Sequence, residues 1–592
     1  MGNVIALFGV YCICLFIGLI ARNRFTKPKN TDLIDGFATG VAIMILVFHL
    51  LGAIGVLKWN TYFGVTASIS AALWLKTRNG IAKEEKVSSK KLKTKYSKKE
   101  IVIAASSSAI AILSNVIMLR WNFTDSGGYD SLAYHMYAPI RAINSDHVLN
   151  AQLLIPNAGL PLGVDVLHPI FVLLGGGVRV PAVNYLFILL TLFAVALTIK
   201  EKSVRAVMVA TICVMLLCAS PITYGQLSSD VALLAFVAVI LRRRYECGNA
   251  PRKIDATNLL YLSVLALIKP FALLFVVAYL LSIKNAPMIK RVIILSITTL
   301  PFSLWSVKNY LDTHNPFFPM FQSVFKGLGY EPRLMTVEQD VRRSFAQLVD
   351  FLQSNFNLNP LSQQNDSPFY ALILFGLACF LALPMFGSSE SEDRTFRILI
   401  LTVGLVMLFV AGPVFRYLMF VVFTLLIGVS NKPVLFRNYS KIATVTKITM
   451  GFAFVYIVLV LMTIGFSGNG LNRPVFGQDN SGRISEVAYE LRSKISRDET
   501  VCVMGDGRLL SFWPITTEAL PMDNRNPFIK QSVSNLNQVD RALSRLKCNS
   551  VLFFDGWGYP DFVNEELLVS WQDYAHATDV FENSGWKFAQ VN

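Results

Sequence analysis

The segment Trp121-Asn-Phe-Thr-Asp-Ser-Gly-Gly-Tyr-Asp-Ser-Leu-Ala-Tyr-His-Met-Tyr-Ala-Pro-Ile-Arg141 gathers two carboxylates, an imidazole and a guanidinium in one short stretch. It follows an apolar run, residues 101–119, long enough to cross a bilayer. A carboxylate at a partly desolvated membrane face can have its pKa raised and can take a proton from an attacking hydroxyl. Asp130 is the first candidate for such a base. It is equally suited to N-cap a helix expected over residues 131–138 after the Gly127-Gly128 turn, and capping does not exclude catalysis. Asp125 is the second candidate, with a turn role after Thr124 as its alternative. His135 falls five positions after Asp130, off that residue's helix face, and reads as a supporting hydrogen bonder rather than a metal ligand. Tyr134 and Asn309 are candidates for similar support. His147, His168 and His314 also fall in outward loops, but no spacing among them supports a metal site.

Cations complete this chemistry. Arg416 opens an apolar span in Gly412-Pro-Val-Phe-Arg-Tyr-Leu418. It can snorkel to the interface, or its planar fork can hold a phosphate. Lys308 and Arg141 are candidates for the same work. A base and several cations beside lipid, on one membrane face, suit transfer of a sugar from a phosphate-bearing lipid.

The elements that must position these residues follow from composition and charge pattern. Of 592 residues, 54% are hydrophobic and 16% charged, with a mean hydropathy of +0.50. Soluble domains carry roughly 25% charged residues, so a polytopic membrane protein is expected. The net charge of +16 falls mostly in short loops between apolar runs, where it sets topology and does not point to nucleic acid. Residues 1–20 lack a basic front and a small-residue cleavage site, so they read as a retained span. Further spans are expected at about 36–57 and 60–75, followed by a basic linker over 76–100. By the positive-inside rule the linker is cytoplasmic, and the loop at about 120–179 faces outward. Within that loop, residues 163–174 suit a surface-lying or re-entrant helix.

Spans at about 181–199, 205–221 and 230–241 come next, with Asp230 at the outer end of the last. The apolar run 259–283 is broken at Lys269-Pro270, and a lysine at membrane depth needs a partner or water. Two short helices in a hairpin, entered and left from the cytoplasm, are expected there. A span at about 291–307 leads to a second outer loop at about 309–368, in which 339–353 suits an amphipathic helix. Spans at about 369–385, 396–411, 416–430 and 446–465 bring the expected number to about 14. The tail, 467–592, reads as a small extracytoplasmic α/β domain, with strands at 500–505 and 550–555 and helices at 481–495 and 536–546. Cys502 and Cys548 lie near those strands, where a disulfide could form, whereas Cys12 and Cys14 sit in an apolar run as small buried hydrophobes. The chain has no Walker loop, His-Glu-x-x-His or serine nucleophile elbow.

Tyr129-Asp-Ser-Leu-Ala-Tyr-His-Met-Tyr-Ala-Pro139 resembles the first outer-loop motif of bacterial GT-C superfamily glycosyltransferases, in which an aspartate precedes a Tyr-His pair. Leu304-Trp-Ser-Val-Lys-Asn-Tyr-Leu-Asp-Thr-His-Asn-Pro-Phe-Phe-Pro319 is similar to a second recurring segment, and Leu265-Ala-Leu-Ile-Lys-Pro270 and Arg416-Tyr-Leu418 match further habits of those proteins. The resemblance covers residues 101–466. It implies a mostly helical membrane core and a polyprenyl-phosphate- or pyrophosphate-linked sugar donor. The acceptor would be a glycan, lipid or protein at the outer face of a bacterial inner membrane. It also implies Asp130 as catalytic carboxylate and Arg416 on the donor phosphate. The chain departs from the family in two places: Ser131 stands where an acidic pair is common, and residues 1–75 add three spans. No cofactor follows, and the Ser131 departure gives no support to a divalent metal. A transporter or flippase for lipid-linked glycans, and a noncatalytic subunit of a polysaccharide-export complex, are the alternatives.

Overall fold

The structure, a computed structural model, describes residues 2–22, 30–81, 135, 137–144, 146, 161–176, 182–199, 229–246, 256–283, 287–317, 325, 391–410 and 415–430, and in the tail 500–504, 518–521, 548, 550–554, 580–583 and 586–590. Its helices, numbered among these residues, are α1 Gly2–Ala21, α2 Asn30–Ala53, α3 Trp59–Ile81, α4 Tyr137–Asn144, α5 His168–Leu173, α6 Val183–Thr198, α7 Ser229–Glu246, α8 Ala256–Ile268, α9 Ala272–Leu281, α10 Met288–Thr313, α11 Ser391–Val410 and α12 Phe415–Ser430. A 3-10 turn, Gly163–Leu167, leads into α5. Expected spans at 101–119, 205–221, 369–385 and 446–465 lie outside the described residues.

Three helical stretches are long and apolar enough to cross a membrane: Gly2–Ala21, Leu33–Ala53 and Met288–Leu311. The last shows why water cannot be its solvent. Ile289, Ile293, Ile297, Leu300, Leu304, Val307 and Leu311 form one stripe along α10, each at least half exposed. The opposite stripe, Ile294, Thr298, Phe302, Trp305 and Asn309, is buried. A contiguous apolar face of this length is tolerated in hydrocarbon, where every backbone group is satisfied within the helix. The chain is membrane-embedded.

At the centre stands α7, with Val231 to Leu241 buried on every side. Contacts sort the helix ends into two groups. At one end, Arg22, Asp35, Arg242, Arg243 and Asn258 meet. Arg244 reaches Ser282 there and lies over the rings of Tyr279 and Phe396. At the other end, Lys269 meets Asp230. The Leu57 N–H donates to the Asp146 carbonyl at 3.1 Å, just beyond α2, which packs against the 3-10 turn. Thus α8 and α9 form the hairpin expected from the Lys269-Pro270 break: Asn258 and Ser282 stand at the arginine end, and Lys269 at its tip. The expected surface-lying helix is instead buried. Gly163 to Phe171 pack into the bundle, which fits the re-entrant alternative.

The crossing of α1 and α2 depends on small residues. A Cβ at Gly18 would overlap the Gly36 carbonyl, and one at Gly40 would overlap the Cys14 carbonyl. Gly36-Phe-Ala-Thr-Gly40 is thus a small-xxx-small face that lets two backbones touch.

In the tail, β1 Thr500–Met504, β2 Glu518–Pro521, β3 Ser550–Phe554, β4 Val580–Asn583 and β5 Trp586–Gln590 form one sheet in the order β2-β1-β3-β5-β4. The strands expected at 500–505 and 550–555 are present and pair parallel, Cys502 beside Val551. The other three strands were not expected. Cys548 is disulfide-bonded, and Cys12 and Cys14 are free. The helices expected at 481–495 and 536–546 lie outside the described residues.

Substitution Gly40→Ala is expected to destabilise the purified protein by about 1–3 kcal/mol or more through overpacking. Gly64→Ala, whose Cβ meets nothing within 4 Å, should be neutral or gain up to about 1 kcal/mol from helix propensity. Thermal melts of both variants in detergent check this contrast.

Candidate functional site at one end of the bundle

The end of the bundle away from the arginines carries two polar pairs. The first joins His135 to the 3-10 turn: His135 Nδ1 lies 2.6 Å from Asp165 Oδ2. With Asp165 ionised, Nδ1–H donates and the carboxylate accepts. This hydrogen bond fixes the ring's tautomer and orientation. The two side chains are 13% and 5% exposed, so the contact is shielded from water.

Gly163 sets the position of that turn. Its φ is +49°, and a Cβ there would come within 2.8 Å of Ile268 Cα and 2.9 Å of the Leu267 carbonyl oxygen. Glycine lets the turn rest directly on the last residues of α8, immediately before Lys269. His168, stacked on Phe171 with ring centroids 5.9 Å apart, anchors the following helix in the core.

The second pair is Lys269 Nζ with Asp230 Oδ1, 3.1 Å apart. Asp230 opens α7, and Lys269 sits in the gap between α8 and α9. Proline explains the gap: Pro270 cannot donate to the helical ladder and disfavours helical geometry at Lys269. The Phe271 ring lies 5.8 Å from Lys269 Nζ and stacks on Phe420 of α12 at 5.7 Å. Phe420 is four positions, about one turn, after Arg416. The start of α12, which carries Arg416, therefore comes to the same end as Lys269.

Of the residues expected from sequence, His135 is in this cluster, paired to Asp165. Lys308 and Asn309 occupy the last turns of α10, Lys308 half-buried and Asn309 fully buried. Arg141 lies within α4, and Arg416 within the first turn of α12. Asp125, Asp130 and Tyr134 lie outside the described residues. The helix expected at 131–138 lies mostly outside the described residues; α4 runs Tyr137–Asn144, with Pro139 in its first turn, where a missing N–H costs nothing. Among the described residues no cluster of three His, Cys, Asp or Glu could hold a metal ion.

Sequence reasoning missed Asp165. Its signal was an isolated carboxylate inside the apolar stretch 163–174, a costly placement without a partner. It also left Asp230 and Lys269 as separate residues, because nothing in their spacing announces the pair.

The arrangement has two chemical capacities. A histidine oriented by a carboxylate can accept or relay a proton. A lysine at a helix break can hold an anion. No protein-family model matches the chain, and no curated protein matches it in sequence.

Replacing Asp165 by Ala removes a hydrogen bond to an ionised group, a contact of about 1.5–3 kcal/mol. The melting temperature in detergent is expected to fall accordingly, and Asp165→Asn, which keeps an acceptor, should recover part of the loss.

Proposed function

We propose that this chain is a membrane glycosyltransferase of GT-C type. It would take a sugar from a polyprenyl-phosphate or pyrophosphate donor and pass it to a glycan, lipid or protein acceptor at the outer face. The observation that carries the reading is the convergence at one bundle end of the His135–Asp165 pair, the Lys269–Asp230 pair and the start of the Arg416 helix. That end is opposite the arginine-rich one, which the positive-inside rule assigns to the cytoplasm. The disulfide at Cys548 supports an oxidising, extracytoplasmic location for the tail. The finer elements of the proposal are a bundle of about 14 spans, an α/β tail and residence in a bacterial plasma membrane. They rest on charge pattern and on the resemblance of the 129–139 and 304–319 segments.

In the proposed reaction, an acceptor oxygen forms a bond to the anomeric carbon as the bond from that carbon to the phosphate oxygen breaks. The acceptor proton passes to Asp130. The departing phosphate takes the electron pair, and Arg416, with Lys308 or Arg141, stabilises its charge. His135, five positions after Asp130 in the chain, is anchored by Asp165.

One observation favours a rival reading. A charged pair at a helix break inside the bundle is also how transporters build substrate sites, so movement of lipid-linked glycans is the second reading. The two separate in one assay, with full-length protein, labelled polyprenyl-phosphate sugars and crude envelope acceptor. A transferase makes a new glycosidic product, and Asp130→Asn lowers its rate by about 10²–10⁴-fold with donor binding retained. Wild-type proteoliposomes that move the labelled lipid across the bilayer without forming product would favour the transporter.

A further inference from the structure

We infer that Lys269 is a donor-phosphate contact, held ready by Asp230, which yields it when the phosphate arrives. The inference rests on the proposed lipid-linked donor and adds a residue to its binding site.

Three observations converge on it. First, Lys269 is the cation at the tip of the α8–α9 hairpin. Residues 261–268 before it are buried throughout, whereas Lys269, Pro270 and Phe271 are each partly exposed. The buried run of α8 thus reaches the surface of the bundle at the hairpin tip. Second, a counter-charge, Asp230, lies 3.1 Å away on a different helix. A compact ammonium with three rotatable donors can exchange such a partner for a phosphate oxygen without moving its backbone. Third, two further elements of the proposed site meet this break. Phe271 stacks on Phe420, one turn beyond Arg416, and Gly163 seats the Asp165 turn on Ile268, directly before the lysine. The short helix α9 also begins at this break, so its dipole adds positive potential on the same side. The Lys269 side chain is 20% exposed and that of Asp230 3%.

The test uses the full chain in detergent with three probes: polyprenyl phosphate, uncharged polyprenol of the same length, and phosphatidylglycerol. Wild type is expected to prefer polyprenyl phosphate to both others. Lys269→Met should weaken phosphate binding at least about tenfold, the loss of one charge-assisted contact, while Lys269→Arg keeps most of it. Asp230→Asn should bind as tightly as wild type or more tightly, because the phosphate no longer competes with a carboxylate. The double variant Asp230→Asn/Lys269→Met removes both charges together and avoids leaving one unpaired, so it should fold yet bind weakly. Wild-type binding with an unaffected, folded double variant overturns the inference and leaves the proposed function standing. So does weakened binding by Asp230→Asn at an unchanged melting temperature. A wild type that binds phosphatidylglycerol equally well overturns the donor assignment. One that does not distinguish polyprenyl phosphate from polyprenol overturns the lipid-phosphate reading and, with it, this inference.

Discussion

The carboxylate of Asp35 is the point at which four helices are held in register. It is ion-paired to Arg22 at the end of α1, at 3.0 Å, and to Arg242 and Arg243 of α7, the latter at 2.8 Å. Arg243 also donates to Asn258 of α8. The backbone of Asp35 is tied in as well: the Tyr261 hydroxyl donates to its carbonyl at 3.0 Å, so the Thr39 hydroxyl must be the donor in its 3.0 Å contact with Tyr261. Removing one partner of such a buried pair typically costs roughly 3–5 kcal/mol, because the remaining charge is stranded. The N-terminal helices are therefore not a loose appendage. Their attachment to α7 and α8 is an electrostatic clamp backed by the glycine contact between α1 and α2.

That clamp fixes the level of everything at the opposite end. Along α7, Arg242 is separated from Asp230 by twelve residues, about 18 Å of helix. A bilayer's hydrocarbon core is roughly 30 Å thick. At least one of the two charge clusters must then lie at membrane depth, where a charge persists only with a partner or in a wet cavity. The Lys269–Asp230 pair meets the first condition. The short helices α8 and α9 are consistent with this: a hairpin of full-length spans would carry Lys269 clear of Asp230. With the arginine cluster at the cytoplasmic interface, the polar end would be recessed within the membrane rather than a surface patch.

Much of this architecture was legible in the chain. Apolar run lengths and arginine and lysine placement located α1, α6 and α12 closely, and α2, α3, α7, α10 and α11 with ends off by up to about six residues, because helix length and loop charge are governed by the bilayer itself. The Lys269-Pro270 break announced a hairpin because proline removes a ladder bond wherever it stands. What could not be read were partners. Asp165 meets His135 across thirty positions and Asp35 meets Arg242 across more than two hundred, and no local pattern encodes either approach. Strands β2, β4 and β5 were also missed. Glu518-Ala-Leu-Pro521 is too short to show alternation, and Val580–Asn583 carries Glu and Asn, which sheets ordinarily disfavour.

The claim on which the functional account turns is that the two bundle ends lie on opposite sides of the membrane, with the His135, Asp165 and Lys269 end outward. Labelling of single cysteine substitutions with a membrane-impermeant maleimide in intact cells tests it directly. Lys58, 68% exposed and paired to Asp146 at the polar end, and Met288, 63% exposed at the arginine end, are suitable positions. The account predicts labelling above the parent protein at Lys58→Cys without permeabilisation, and at Met288→Cys only after it. The reverse order, or equal labelling of both from outside, would place the polar end on the cytoplasmic face or dissolve the two-sided arrangement, and would contradict the account.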